Sequence, residues 1–174
     1  SSDSENLLAI MLSYMYESIE QIEIPDNLIN VTPGIYEECV NLKKLIIADG
    51  STYVDKYMTD NLEQRIEEVE LPDSLINIES GAFADFSLIT NINIPPKVEV
   101  IGNNAFNNCS NLTGIIIPDN VTDIGSNAFS NCRFLADVSI GNKVENIGES
   151  AFSYCTSIGK MILPDSVNSI GINI

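Results

Sequence analysis

At 174 residues, with 44% hydrophobic and 19% charged side chains, the chain is the size of one domain and apolar enough to bury a core, which excludes a disordered tail. Its 25 acidic residues against 8 basic ones give a formal net charge of −17, a field that repels phosphate backbones and anionic membrane surfaces and so excludes nucleic acid as a partner. No histidine is present, which removes the usual general base at neutral pH, the Ser-His-Asp and Cys-His arrangements and imidazole metal ligation.

At the N-terminus, Ser4 is placed to cap a helix. Leu8, Leu12, Met15 and Ile19 then recur at helical spacing, which predicts a capping helix over residues 1–20 with its apolar stripe laid across whatever follows. The first residue is Ser1 and not Met, so any targeting segment is expected outside this sequence. No apolar run approaches the roughly 20 residues that span a bilayer; stretches such as Ile115, Ile116 and Ile117 are far too short.

From residue 20 onward a single period of 23 residues organises the chain. Phe83, Phe106, Phe129 and Phe152 fall at that interval, each after an alanine, and Cys109, Cys132 and Cys155 keep the same step. So do Gly102, Gly125, Gly148 and Gly171, and also Pro72, Pro95 and Pro118, with Pro164 two periods on. A first copy starting at Ile22 carries Tyr36 at the Phe position and Cys39 at the Cys position. A degraded copy at about 45–68 loses the Ala-Phe and Cys marks and gains one residue, which predicts an irregular coil. The last copy stops before its Ala-Phe, so the end is either frayed or continued past Ile174 in the natural protein.

Each unit reads as one short strand with alternating apolar residues, a proline turn, a Val/Leu-x-x-Ile segment, a glycine, and an Ala-Phe half-turn back to the next strand. The proline caps the strand where no ladder donor is needed, and the glycine is expected to supply a positive-φ corner, although Thr32 and Glu79 take its place in earlier copies. A unit of this size cannot bury its own apolar face, so units must stack into a solenoid of about seven coils.

The string Ile-Pro-Asp-Asn-Val-Thr-Asp-Ile-Gly-Ser-Asn-Ala-Phe-Ser-Asn-Cys at 117–132, repeated closely at 94–109 and 140–155 and more loosely at 71–86, resembles the BspA-type leucine-rich repeat of bacterial and protozoan surface proteins. The resemblance covers about residues 20–174. It implies a leucine-rich-repeat solenoid: a right-handed coil with one parallel concave β-sheet of about seven short strands, short strand, turn and helical segments on the convex side, and the N-terminal helix as a cap. It implies secretion or surface display, and members reported as adhesins for host matrix proteins or other cells. It implies no shared catalytic residues.

The residues themselves offer three classes of candidate site. The four cysteines are expected as stacked, reduced core thiols, with disulfide or thiolate-metal readings as the alternatives. The carboxylates Glu67, Glu68 and Glu70 lie close in sequence, but a flat sheet gives no cleft to desolvate either member of an acid-base pair, and no Asp-x-Asp-x-Asp-Gly calcium loop occurs. No catalytic residue, metal ligand or cofactor is therefore expected. Asn-x-Ser/Thr sequons at Asn30, Asn108, Asn111 and Asn120 are read as turn formers on the convex side.

The outward strand positions remain as the candidate partner-binding surface. Their central row runs Glu23, Ile46, Glu70, Asn93, Ile116, Ser139 and Ile162; beside it stand Lys43, Lys44, Glu67, Glu68, Asn91, Thr113, Asp137 and Lys160. The row is acidic toward the N-terminal half, apart from a lysine pair, and neutral to apolar toward the C-terminal half. These features lead to an expected non-enzymatic, cell-surface or secreted module presenting its concave face to a protein or glycan, or alternatively to a spacer segment of a longer repeat array.

Overall fold

In the computed structural model, which describes residues 16–26, 36 and 39–173, the 23-residue period becomes a stack of coils with parallel ladders on two sides. Most of the expected capping helix, including Ser4, Leu8, Leu12 and Met15, lies outside the described residues, as does Thr32. Ile19 is half-buried and packs against the core.

The front ladder is built from the longer strands. β1 (Gln21–Ile24) pairs with β2 (Lys44–Ile47), placing Glu23 beside Ile46, and β2 pairs with β4 (Glu68–Glu70), placing Ile46 beside Glu70. A second piece of the same face pairs β7 (Gly114–Ile117) with β9 (Asp137–Ile140), Ile116 beside Ser139. The back ladder consists of two-residue strands: β3 (Tyr53–Val54), β5 (Asn77–Ile78), β6 (Val100–Ile101), β8 (Asp123–Ile124), β10 (Asn146–Ile147) and β11 (Ser169–Ile170), all parallel and in register.

This differs from one continuous sheet of about seven strands. Among the described residues the front ladder is two separate sheets of three and two strands, broken at residues 91–94 and not resumed at 160–163. The break has a local cause. Asn91 and Asn93 belong to a residue type depleted from strands, and Pro95 and Pro96 follow at once with no N–H to donate. The short strands expected on the back of the coil are present and join as a ladder, but helical segments are nearly absent; the single described helix beyond the N-terminal turn is α1 (Lys56–Thr59).

Between the ladders lies the core. Ile24, Ile47, Ile94 and Ile117 point inward from the front, and Val54, Ile78, Ile101, Ile124 and Ile147 from the back. Phe83, Phe106, Phe129 and Phe152 stack with ring centroids 5.4, 5.2 and 5.2 Å apart and planes within 17° of parallel. Each phenylalanine N–H of the first three donates to the alanine carbonyl of the next coil, at 2.7 to 2.8 Å, so the backbone is tied where the rings stack. The thiols of Cys109, Cys132 and Cys155 donate to the carbonyls of Phe83, Phe106 and Phe129. Cys109, Cys132 and Cys155 are unbridged thiols, the state expected from their inward direction, and Cys39 is buried in the first coil.

The irregular coil is present where the sequence loses its marks. α1 begins with Asp55, whose Oδ1 accepts from the Met58 N–H at 3.0 Å, and it places Met58, Thr59 and Leu62 where the regular coils carry Ala, Phe and Cys or Phe86. The Ala82 carbonyl, bonded in later coils by a phenylalanine N–H, is here bonded by the Thr59 hydroxyl at 2.6 Å. Arg65 of this coil donates through Nη1 to the carbonyl of Tyr36, binding the first coil to the second.

The glycines need a different explanation from a positive-φ corner. Gly102, Gly125, Gly148 and Gly171 do not occupy the left-handed region. A Cβ at Gly125 would lie 2.5 Å from the Asn103 nitrogen, and one at Gly148 2.4 Å from the Ser126 nitrogen. Glycine is needed because the backbone of the preceding coil passes too close for any side chain. Left-handed residues fall two places later, at Gly81, Asn104, Asn127 and Ser150, and again at Asp85, Asn108, Asn131 and Tyr154.

Candidate binding face

The alternation within each front strand decides which side chains reach solvent. In β7 the inward Ile115 and Ile117 are buried while Ile116 is 72% exposed; on the last coil Ile162 is 68% exposed. A β-branched aliphatic residue suits a strand on either side of the sheet, so its outward placement reflects register and not a failure of local preference.

The front face divides into two halves of different chemistry. In the N-terminal half, Lys43 pairs with Glu67 at 3.6 Å, and Lys44 pairs with Glu68 at 2.9 Å and with Glu70. These are cross-strand neighbours, since Lys44 sits directly beside Glu68 in the ladder. The hydrogen bonds that the Lys44 ammonium donates to Glu70 and then to Glu68 hold it above its ordinary pKa. Two lysines against five carboxylates, with Glu20 and Glu23 on the neighbouring strand edge, leave this half negative.

In the C-terminal half the face sinks into an open depression of about 560 Å³. Asn91, Asn93, Ile116, Asp137, Ser139 and Lys160, all expected from the sequence as candidates, line it together. Gly114 and Ala136 form its floor because neither carries a side chain long enough to fill it. Ser139 and Lys160 continue into a second depression of about 370 Å³ beside Ile162. Glu67, Glu68 and Asn91 border a third, of about 590 Å³, which also takes in Leu88 and Thr90 and lies where the front ladder is broken. Glu23, Lys43, Lys44, Ile46, Glu70 and Thr113 lie outside these hollows. Thr113 is exposed, and its hydroxyl donates to the Thr90 carbonyl at 3.1 Å.

Sequence reading missed Gly114 and Leu88. Gly114 occupies the register of Lys44, Glu68, Asn91 and Asp137, and its departure from that polar row was the available signal. Among the described residues no group of three or more acidic or cysteine side chains is arranged to hold a metal ion, and no helix is long and apolar enough to cross a membrane.

Comparison with known proteins agrees with this architecture. The family model for the BspA-type leucine-rich repeat region matches six copies over residues 11–135 and 77–174. Among solved structures, the T. pallidum leucine-rich repeat protein is similar at 26% identity and a TM-score of 0.75, over 88% of this chain and 73% of that one. A leucine-rich repeat protein from Bacteroides ovatus matches at 23% identity and a TM-score of 0.70, over 84% of this chain and 40% of its own. One from Eubacterium ventriosum matches at 14% identity and a TM-score of 0.60, over 90% and 58%. A sequence search of curated proteins finds no significant relative. With parallel coils of 23 residues and a repeat match spanning most of its length, the chain belongs to the BspA-type leucine-rich repeat family.

Proposed function

We propose that this chain is a non-enzymatic binding module, displayed on a cell surface or secreted, which takes an extended polypeptide along its front, concave face. The partner lays a cationic stretch over Glu20, Glu23, Glu67, Glu68 and Glu70 and an aliphatic stretch over Ile116 and Ile162. The observation that supports this reading is the division of the front face into a negative half and a hollowed half in which Ile116 and Ile162 stand exposed. Charge on the rim speeds and orients the encounter, while desolvation of Ile116 at the centre of the hollow supplies affinity. A face open along its length and shaped by flat ladders lacks the enclosure that shifts a carboxyl pKa for acid-base work, which favours recognition over catalysis.

The test is a random-peptide display library panned on the whole chain, with selected peptides measured by calorimetry. Selected sequences are expected to join lysine or arginine at one end to aliphatic residues at the other. Ile116→Asp is expected to weaken binding at least tenfold, and Glu67→Lys, Glu68→Lys and Glu70→Lys together to remove its salt dependence. Binding that no front-face substitution alters would place recognition elsewhere on the coil.

A further inference from the structure

A second surface lies on the edge of the coils that adjoins the front face, where Asp85, Asn108, Asn131 and Tyr154 occupy the same place in four successive turns. All four have left-handed backbone, with φ of 66°, 61°, 62° and 61°. Asp and Asn tolerate that region because their short polar side chains bond locally; an aromatic residue is out of place there. Tyr154 is nonetheless 70% exposed, and among the described residues no hydrogen bond or ring contact holds its side chain. Strain of this kind persists where the side chain is used for something other than folding.

Phe134 is the other departure on the same edge. Its counterparts are Leu88, Asn111 and Ser157, and its ring is 61% exposed. Two hydrogen bonds bring the pair together on neighbouring coils: the Asn131 N–H donates to the Ser153 carbonyl at 2.8 Å, and the Ser157 hydroxyl donates to the Arg133 carbonyl at 2.7 Å. From the ~4.8 Å spacing of parallel strands and the width of a tight turn, their Cα atoms stand about 8 Å apart. Near them in the coils are the amide and hydroxyl side chains of Asn108, Asn111, Asn131, Thr156 and Ser157, together with the exposed Arg133 beside Phe134.

We propose that Phe134 and Tyr154 form a stacking platform for a neutral carbohydrate. A hexose offers an apolar C–H face ringed by hydroxyls, which matches exposed ring faces rimmed by amides and hydroxyls. Nucleobases stack as well, but a net charge of −17 repels their phosphates. A protein hot spot is set in an apolar, close-packed surround, and the rim here is polar.

Affinity electrophoresis of the intact chain through gels containing dextran, mannan, xylan, galactomannan or a soluble β-1,3-glucan tests this. At least one polysaccharide is expected to retard the protein. The double variant Phe134→Asn, Tyr154→Asn installs residue types that the sister coils already carry at these places, and it is expected to run unretarded while melting at the same temperature or a few degrees higher. Retardation equal in the double variant, or absence of retardation by every polysaccharide, overturns the proposal.

Discussion

The thiol of Cys132 donates a hydrogen bond to the carbonyl of Phe106, 26 residues earlier, at 3.2 Å. The same oxygen accepts the Cys109 N–H at 3.2 Å, so a cysteine side chain from one coil completes a carbonyl whose other donor lies in the coil before. The cysteine row is thus a ladder of coil-to-coil hydrogen bonds beside the stacked phenylalanines. Cys132→Val, which keeps volume but removes the donor, is expected to cost about 1 kcal/mol, and Cys132→Ala, which also leaves a void, about 2 kcal/mol. Urea unfolding of the two variants checks the order.

Burial raises the Cys109 thiol far above its ordinary pKa; Cys132 is raised by the neighbouring Cys155 thiol and then by burial. Cys155, less buried, is lowered by the neighbouring Cys132 thiol. In the folded state Cys109 and Cys132 therefore keep their protons at pH values where unfolded thiols, near pKa 8.5, lose theirs. Above that pH the unfolded chain binds fewer protons than the folded one, so stability falls as pH rises. The expected slope is about 1.4 kcal/mol per pH unit for each of the two thiols between roughly pH 9 and 11. Urea midpoints across that range measure it, and the Cys109→Val, Cys132→Val variant is expected to lose most of the slope.

The glycine and asparagine positions separate two kinds of backbone demand. Gly125→Ala places a Cβ 2.5 Å from the Asn103 nitrogen, a backbone atom that cannot step aside, and is expected to cost about 3 kcal/mol or more. Asn127, two residues on with φ 56°, is expected to accept Gly with little change and to lose about 1 kcal/mol as Ala, because only there does left-handed backbone set the requirement. Thermal melts of the three variants test the assignment.

In the irregular coil, Thr59→Val removes the hydroxyl that serves the buried Ala82 carbonyl. A loss of about 1 to 3 kcal/mol is expected, since shape is preserved and the acceptor is left without that donor. Calorimetric unfolding gives the value.

Most of the fold was legible in the sequence because its information is periodic. Phenylalanines and cysteines repeating at 23 residues can only stack once the chain coils, and the inward Ile positions follow from strand alternation. The role of Gly125 was hidden because its constraint comes from Asn103 in another coil, whereas turn chemistry speaks only of neighbours. The break at residues 91–94 was also hidden, as was the joining of the expected short back strands into one ladder: ladder pairing depends on the strand alongside as much as on the strand itself. Of the front face, Asn91, Asn93, Ile116, Asp137, Ser139 and Lys160 were found by register alone and converge on one hollow. The hollow itself was not foreseeable, since it arises where Gly114 and Ala136 fall short of their neighbours. Tyr154 was passed over because nothing in composition marks an exposed tyrosine; only its left-handed backbone does.

Recognition through the front face is tested most directly by site-specific photo-cross-linking. A photoreactive amino acid is placed at Ile116, in the hollow, or at Asn146, which faces solvent on the back ladder, and each protein is irradiated with a peptide selected by panning. Cross-links at position 116 that an excess of unlabelled peptide suppresses, with none at position 146, are predicted. Equal labelling at both positions, or labelling at 146 alone, would contradict it.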